Sequence, residues 1–277
     1  MTLLDQIMSF LDGEMTRPVP YQSIDISWFH YLALTITLIA TVIAVIRLKN
    51  ANDIQIRRFL LSFSGLLLTF EVYKQLIFSF QANWDYQWYA FPFQFCSTPM
   101  YVALFAGLTK NIKIQQALIN FLGTYGLFAG LAAMIYPNDV FVSTIGINIQ
   151  TMVHHGAMMV VGTALLVNRV PLKPSSIIGA TTVFLILVTI AILLNFAHNT
   201  WIVDGTFNMF FINPQYQNHL PVLKLIEPHV PHFLFVIIYT IGFIIVAFLV
   251  LLIGIVTKNL SLEKRHCIKI TPRIATK

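Results

Sequence analysis

Residues 232–256 read HFLFVIIYTIGFIIVAFLVLLIGIV, a run of 25 residues that contains no Asp, Glu, Lys or Arg. A helix rises about 1.5 Å per residue, so about 20 apolar residues suffice to cross a hydrocarbon core about 30 Å thick. A helix buried in a soluble protein seldom has so long an uncharged run. This stretch therefore predicts a membrane-spanning helix.

The rest of the chain has the same character. Hydrophobic residues make up 57% of the sequence and charged residues 10%, whereas a soluble domain has about 25% charged residues. We therefore predict an all-α integral membrane protein with seven transmembrane helices in one bundle, at residues 28–48, 59–80, 91–108, 115–135, 145–167, 177–197 and 232–256.

Three segments lie outside these spans. In residues 1–27, apolar side chains near the start have helical spacing, which predicts either a short helix at the membrane surface or a frayed terminus. The absence of Lys and Arg from residues 1–11 is not typical of a secretory signal. Residues 198–231 contain four prolines and predict a long loop, and residues 258–277 form a basic tail.

Lysine and arginine are distributed unequally between the two ends of the predicted bundle. Because cytoplasmic loops carry the excess of Lys and Arg, we predict that the N-terminus lies outside and the C-terminus inside. Fourteen of the 17 basic residues then fall on the inner side: Arg47, Lys49, Arg57, Arg58, Lys110, Lys113, Arg169, Lys173, Lys258, Lys264, Arg265, Lys269, Arg273 and Lys277.

Composition also argues against several classes of protein. The net charge of +6 is scattered among short loops, so a nucleic-acid partner is not expected. Two cysteines, Cys96 and Cys267, are too few for a disulfide scaffold or a multi-thiolate metal site. We expect no cofactor and no metal ion, and the sequence leaves the oligomeric state open.

Two opposite charges occur within the second predicted span. Glu71 and Lys74 are three residues apart and therefore share a helix face. Each can neutralise the other, which lowers the free energy needed to bury both. The pair predicts either an ion pair that locks the bundle or a group that polarises a substrate headgroup or orients a catalytic residue.

The third and fifth predicted spans hold a cysteine and a histidine pair. Residues 91–99 read FPFQFCSTP, and Pro99 removes the helical hydrogen bond to the carbonyl of Phe95, so Cys96 should lie beside irregular backbone. His154 and His155 are adjacent on a helix. Their directions differ by about 100°, so we expect one to face the bundle axis and the other a neighbouring helix.

In the predicted topology, the polar groups of separate spans lie in one layer near the outer surface. Asn195 and His198 end the sixth span, and His232 begins the seventh. Glu71, Lys74, Cys96 and His154 fall in the outer half, while the inner half is nearly apolar. This asymmetry favours a site open to the outer leaflet over a pore, which needs polar lining through the whole membrane.

Three motifs resemble the YwaF-like integral membrane proteins of bacteria: FPFQFC at 91–96, HHG at 154–156, and NMFF at 208–211 followed by Pro214. That family is distantly similar to eukaryotic seven-span lipid acyltransferases and androgen-induced-type lipid hydrolases. These relatives use an intramembrane cysteine or threonine with a histidine two spans later. The resemblance implies that Cys96 is a nucleophile and His154 its base, acting on membrane lipids in a bacterial cell membrane.

The remaining polar residues would support such a site. Glu71 with Lys74, or Asn195, could hold a lipid headgroup or the developing oxyanion, and the other candidates for a supporting role are Gln94, His155, His198 and His232. The alternatives are a proton-coupled small-solute transporter, a zinc hydrolase using His154, His198 and His232, and a non-enzymatic partner or sensor. The apolar inner half disfavours the transporter, and no HExxH-like spacing supports zinc.

Overall fold

The computed structural model of the chain describes the backbone of residues 3–218 and 220–270 and the side chains of residues 3–218 and 220–258. Within this part, β-structure is limited to one isolated bridge between Glu14 and Thr144. The nine α-helices described are α1 (Leu3–Leu11), α2 (Ile24–Leu48), α3 (Asp53–Gln81), α4 (Thr98–Leu108), α5 (Ile112–Ile135), α6 (Ile145–Asn168), α7 (Ser176–Ala197), α8 (Leu223–Ile226) and α9 (His232–Ile270).

Six of these helices, α2, α3, α5, α6, α7 and α9, are long and apolar enough to cross a membrane. The predicted all-helical membrane class is therefore confirmed. Helix α9 continues to Ile270, beyond the predicted end of the last span. The first part of the predicted basic tail is thus helical, and residues 271–277 lie outside the described part of the chain.

The third predicted span, residues 91–108, differs from its prediction. Only α4 is α-helical there, and its 11 residues extend about 16 Å, less than the hydrocarbon core. Proline is favoured in the first turn of a helix, and Pro99 occupies that turn, so it starts a helix and does not kink one. The hydroxyl of Thr98 donates a 2.9 Å hydrogen bond to the carbonyl of Phe95. Among the described residues, six helices are therefore long and apolar enough to span a membrane, and residues 91–108 do not form a seventh helix of that length.

Helices α5 and α6 form the centre of the bundle. In their most apolar windows, 72% of α5 and 67% of α6 is buried, against 17% of α2 and of α9. Helix α6 packs against α2, α3, α5 and α9, and α5 also packs along α7. A π-helical turn at Leu122–Gly126 interrupts α5 at its contact with α6 and α9. The histidine pair of α6 is therefore held in the best-packed part of the protein.

Two glycines allow α5 and α6 to approach closely. A Cβ atom added to Gly130 would lie 2.7 Å from the carbonyl oxygen of His155 and 2.8 Å from the Cβ of Met158. A Cβ added to Gly162 would lie 2.7 Å from the Cβ of Leu127. Small residues at helix contacts are the usual means of close packing within membranes, and here they fix the position of α6.

Replacing Gly130 or Gly162 by Leu should destabilise the bundle by about 1–3 kcal/mol, since overpacked side chains force helices apart. The free energy of unfolding can be measured by titrating the purified protein in micelles with a denaturing detergent. Gly242→Leu is the matched control, because a Cβ there meets no atom within 4 Å. An equal effect of Gly242→Leu and Gly130→Leu would contradict this explanation of the packing.

Candidate functional site

His154 contacts the backbone of Cys96 directly. Its Nε2 lies 2.9 Å from the carbonyl oxygen of Cys96, which joins the middle of α6 to the irregular segment before α4. A carbonyl oxygen only accepts hydrogen bonds, so Nε2 carries the proton and donates it. In the neutral imidazole, Nδ1 is then an unprotonated acceptor. This bond sets the tautomer of the ring.

Nδ1 of His154 has no hydrogen-bond partner, although the residue is only 3% exposed. Seven buried side chains among those described carry such an unpartnered polar atom, and two others of the seven are Oε2 of Glu71 and the hydroxyl of Tyr239. Buried polar atoms without partners are rare in folded proteins. The residues that carry these three atoms all interact with Cys96, through the His154 bond to its carbonyl and through the charges near its thiol.

Glu71 and Lys74 lie in α3 beside this cluster. Nζ of Lys74 is 2.9 Å from Oε1 of Glu71, and Nε2 of Gln75 donates to the same oxygen at 2.7 Å. Gln75 also donates to the carbonyl of Ala90 at 2.6 Å. One carboxylate oxygen is therefore saturated and the other is free, and α3 is tied to the chain that leads into Cys96.

The thiol of Cys96 lies in the field of these groups. Cys96 is partly buried, and both Lys74 and Glu71 are within electrostatic range of it. Lys74 is also within range of His154, and the hydroxyl of Tyr239 is within range of the thiol. The site thus combines a nucleophilic atom, a ring nitrogen able to accept a proton, one cation and one hydroxyl donor.

Aromatic rings fix the backbone beside Cys96. The ring of Phe95 packs edge-on against Phe184, Phe210 and Phe243, with ring centroids 4.8–5.8 Å apart. The ring of Tyr239 lies 4.6 Å from that of Phe243. Aromatic pairs at these distances contribute about 0.5–1.5 kcal/mol each beyond their burial. The cluster therefore holds the segment of Cys96 and the Tyr239 side chain in one rigid arrangement.

The predicted loop after α7 folds back into the bundle. Met209 and Phe210 are completely buried, and Phe210 has a φ of 59°, which is strained for a bulky residue. Gln94 accepts from the N–H of Phe210 at 3.1 Å and donates to the carbonyl of Asn208 at 2.9 Å. The amide of Asn195 binds both the N–H and the carbonyl of Met209, at 2.8 and 3.0 Å. In this structure, Gln94 and Asn195 clamp the loop.

The other predicted histidines contact other groups. Nδ1 of His155 donates to the carbonyl of Thr151 in its own helix at 2.8 Å. His198 stacks on Phe207 at 4.3 Å and meets the edge of Trp88, and His232 lies at the start of α9. Across the described residues, no group of three or more His, Cys, Asp or Glu side chains is arranged to hold a metal ion.

Gln75 and Tyr239 are site residues that the sequence analysis did not select. Gln75 follows Glu71 by four residues, a spacing that brings side chains together on a helix. This spacing in the sequence could have identified Gln75 as a partner of Glu71. Tyr239 lies within the uncharged apolar run at residues 232–256. Nothing in that run indicates which face of the helix meets Cys96.

A family model described as the TMEM164 family matches residues 25–255, which takes in the bundle from α2 to α9. No curated protein matches the chain, and no solved structure matches it. The match supports a membrane-protein family, but it lends no support to the YwaF-like or acyltransferase resemblance suggested by the motifs.

Gln94→Leu and Asn195→Leu should each destabilise the protein, because they leave buried N–H groups of the 208–210 turn without acceptors. The expected loss in the free energy of unfolding is about 1–3 kcal/mol. Gln87→Leu serves as the control, since Gln87 bonds only an exposed carbonyl, that of Asp85. If Gln94→Leu and Gln87→Leu unfold alike, the amide of Gln94 does not hold the turn.

Proposed function

We propose that this chain, which belongs to the TMEM164 family of membrane proteins, is a lipid acyl hydrolase or acyltransferase that uses Cys96 as its nucleophile. The observation that carries the proposal is the hydrogen bond from Nε2 of His154 to the carbonyl of Cys96, which brings the ring to the residue that carries the thiol and leaves Nδ1 unprotonated and without a partner. A base fixed in this tautomer is what an intramembrane thiol needs to become a thiolate.

The reaction proceeds in two stages. Nδ1 of His154 takes the thiol proton, and the sulfur of Cys96 attacks the carbonyl carbon of a lipid ester. The ester C–O bond breaks, the leaving oxygen takes the proton from His154, and the acyl group remains as a thioester. Water or the hydroxyl of another lipid then attacks the thioester while His154 removes its proton, which releases the acyl product and restores the thiol.

Two further groups suit the charge that develops. The tetrahedral intermediate carries a negative oxygen, which hydrogen-bond donors and cations stabilise most strongly in a water-poor site. The unpartnered hydroxyl of Tyr239 is such a donor. Lys74 is a cation held by Glu71, so it can act on the site without leaving a net charge buried.

The proposed orientation places this site near the outer leaflet. Contacts between loops support it, because they gather the basic loops at one end of the bundle. Arg57 donates to the carbonyl of Thr109, and Arg169 donates to the carbonyl of Ala51. At the other end, Arg17 donates to the carbonyl of Asn138 at 2.7 Å. Segment 82–97 with α4 then makes the seventh passage between the two ends.

An acyl-type electrophilic probe should label Cys96 in the wild-type protein, as mapped by peptide mass spectrometry. Cys96→Ala should remove the labelling, and His154→Ala should lower it by about 10²-fold or more because the base is lost. Cys267→Ser is the matched control and should label as the wild type does.

Folding of each variant is checked separately by its elution profile and helical content, since an unfolded variant would also lose labelling. Equal labelling of the wild type and folded His154→Ala would show that His154 does not act as the base for Cys96. Uptake driven by a pH gradient in proteoliposomes, and abolished by Glu71→Gln, would instead favour the transporter.

Orientation is tested with an impermeant maleimide on intact cells. Asp85→Cys and Asp139→Cys should react, because both positions lie at the end of the bundle proposed to be outside. Lys110→Cys should react only after the cells are opened. Reaction of Lys110→Cys in intact cells would invert the orientation and assign the site to the cytoplasmic leaflet.

A further inference from the structure

Two adjoining cavities lie outside the Cys96 site, and neither is lined by Cys96 or His154. The first is an apolar groove of about 520 Å³ between α2, α3 and α6, whose lining includes Ala33, Ala40, Ser62, Leu66, Gly156 and Val160. Gly156 is essential to its floor, since a Cβ there would lie 2.5 Å from Oγ1 of Thr37. All three helices are long enough to span a membrane, so hydrocarbon surrounds the groove.

The length and apolar lining of the groove suit a lipid acyl chain. Its lining runs along α2 from Phe29 to Ala40, about 16 Å of helix. This is the depth of one leaflet, about half of a 30 Å hydrocarbon core. An apolar groove of this length, with a volume of about 520 Å³, suits an extended hydrocarbon chain that reaches from the membrane surface to the middle of the bilayer.

The second cavity has charged side chains in its wall and begins where the groove ends. It has a volume of about 410 Å³, and Phe29 lines both cavities. Exposed Arg17 and Asp25 contribute one positive and one negative side chain to its wall, and Trp28 lies beside them. Tryptophan is typical of the level of lipid headgroups. The apolar groove thus leads to a charged cavity at the membrane surface.

These charges match a headgroup that carries both signs. Arg17 uses Nη2 to bind the carbonyl of Asn138, and a guanidinium has five N–H donors, so others remain to bind a phosphate. Asp25 can bind an ammonium group. A free phosphate would use only the arginine and would leave the groove without an occupant.

We propose that one zwitterionic phospholipid binds here, with an acyl chain in the groove between α2, α3 and α6 and its phosphate and amine against Arg17 and Asp25. The site is separate from Cys96 and does not depend on the proposed acyl chemistry. It would hold a lipid against the helix that carries His154.

The test uses phosphatidylcholine with a diazirine-bearing acyl chain, diluted into phosphatidylglycerol vesicles that contain the full-length protein. After irradiation, cross-links mapped by mass spectrometry should concentrate on residues 29–40, 59–66 and 149–161. Ala40→Trp and Ser62→Trp fill the groove and should each lower this labelling about fivefold, a change of about 1 kcal/mol. Val42→Trp, on an exposed part of α2 outside the groove, should label as the wild type does.

The headgroup is tested with Arg17→Glu, which should lower labelling by the phosphatidylcholine probe to the level given by a diazirine fatty acid. Cys96→Ala should leave the labelling unchanged, which separates this site from the proposed catalysis. Equal labelling of Ala40→Trp and Val42→Trp would contradict the binding of an acyl chain in the groove. Equal labelling of the wild type by diazirine phosphatidylcholine and diazirine phosphatidylglycerol would contradict the proposed preference for a zwitterionic headgroup.

Discussion

The hydrogen bond from His154 to the carbonyl of Cys96 connects the best-packed helix of the bundle to its least regular segment. On one side, α6 is held by the close glycine contacts of α5. On the other, the chain before α4 forms only turns, such as the bonds from the N–H groups of Ser97 and Thr98 to the carbonyl of Gln94, and its remaining polar groups need partners from elsewhere. The bond satisfies that need and, at the same time, leaves the second nitrogen of the ring unprotonated. A structural requirement and a chemical capacity therefore arise from the same contact.

The need for such partners is general within a bilayer, where backbone polar groups have no water to bind. The Asn208–Phe211 turn meets it with the amides of Gln94 and Asn195, and Phe95 meets it with the hydroxyl of Thr98. Once these partners are assigned, the atoms that remain unsatisfied become informative. The residues with free atoms, Glu71, His154 and Tyr239, all interact with Cys96, and this is the reason to propose a ligand there.

The two faces of helix α6 contact different parts of the protein. His154 faces the irregular segment with Cys96, while Gly156 and Val160 line the groove between α2 and α3. A lipid in that groove and a lipid ester at the thiol would thus contact the same helix from different directions. The glycine that follows the histidine pair serves this second face, because it lets α2 come close enough to form the groove floor.

The sequence by itself determined the membrane class, six of the seven predicted spans and the pairing of Glu71 with Lys74, since uncharged length and helical spacing are local properties. It also selected Cys96 and His154, through a motif beside proline and an uncommon histidine pair. Only the tertiary structure decided that Pro99 begins a helix, that the 208–211 loop is buried, and that Gln94 and Asn195 hold it. The same is true of Tyr239, the groove and its charged end. These features depend on which faces of distant helices meet, and hydropathy in a bilayer leaves this rotation open because most faces are apolar.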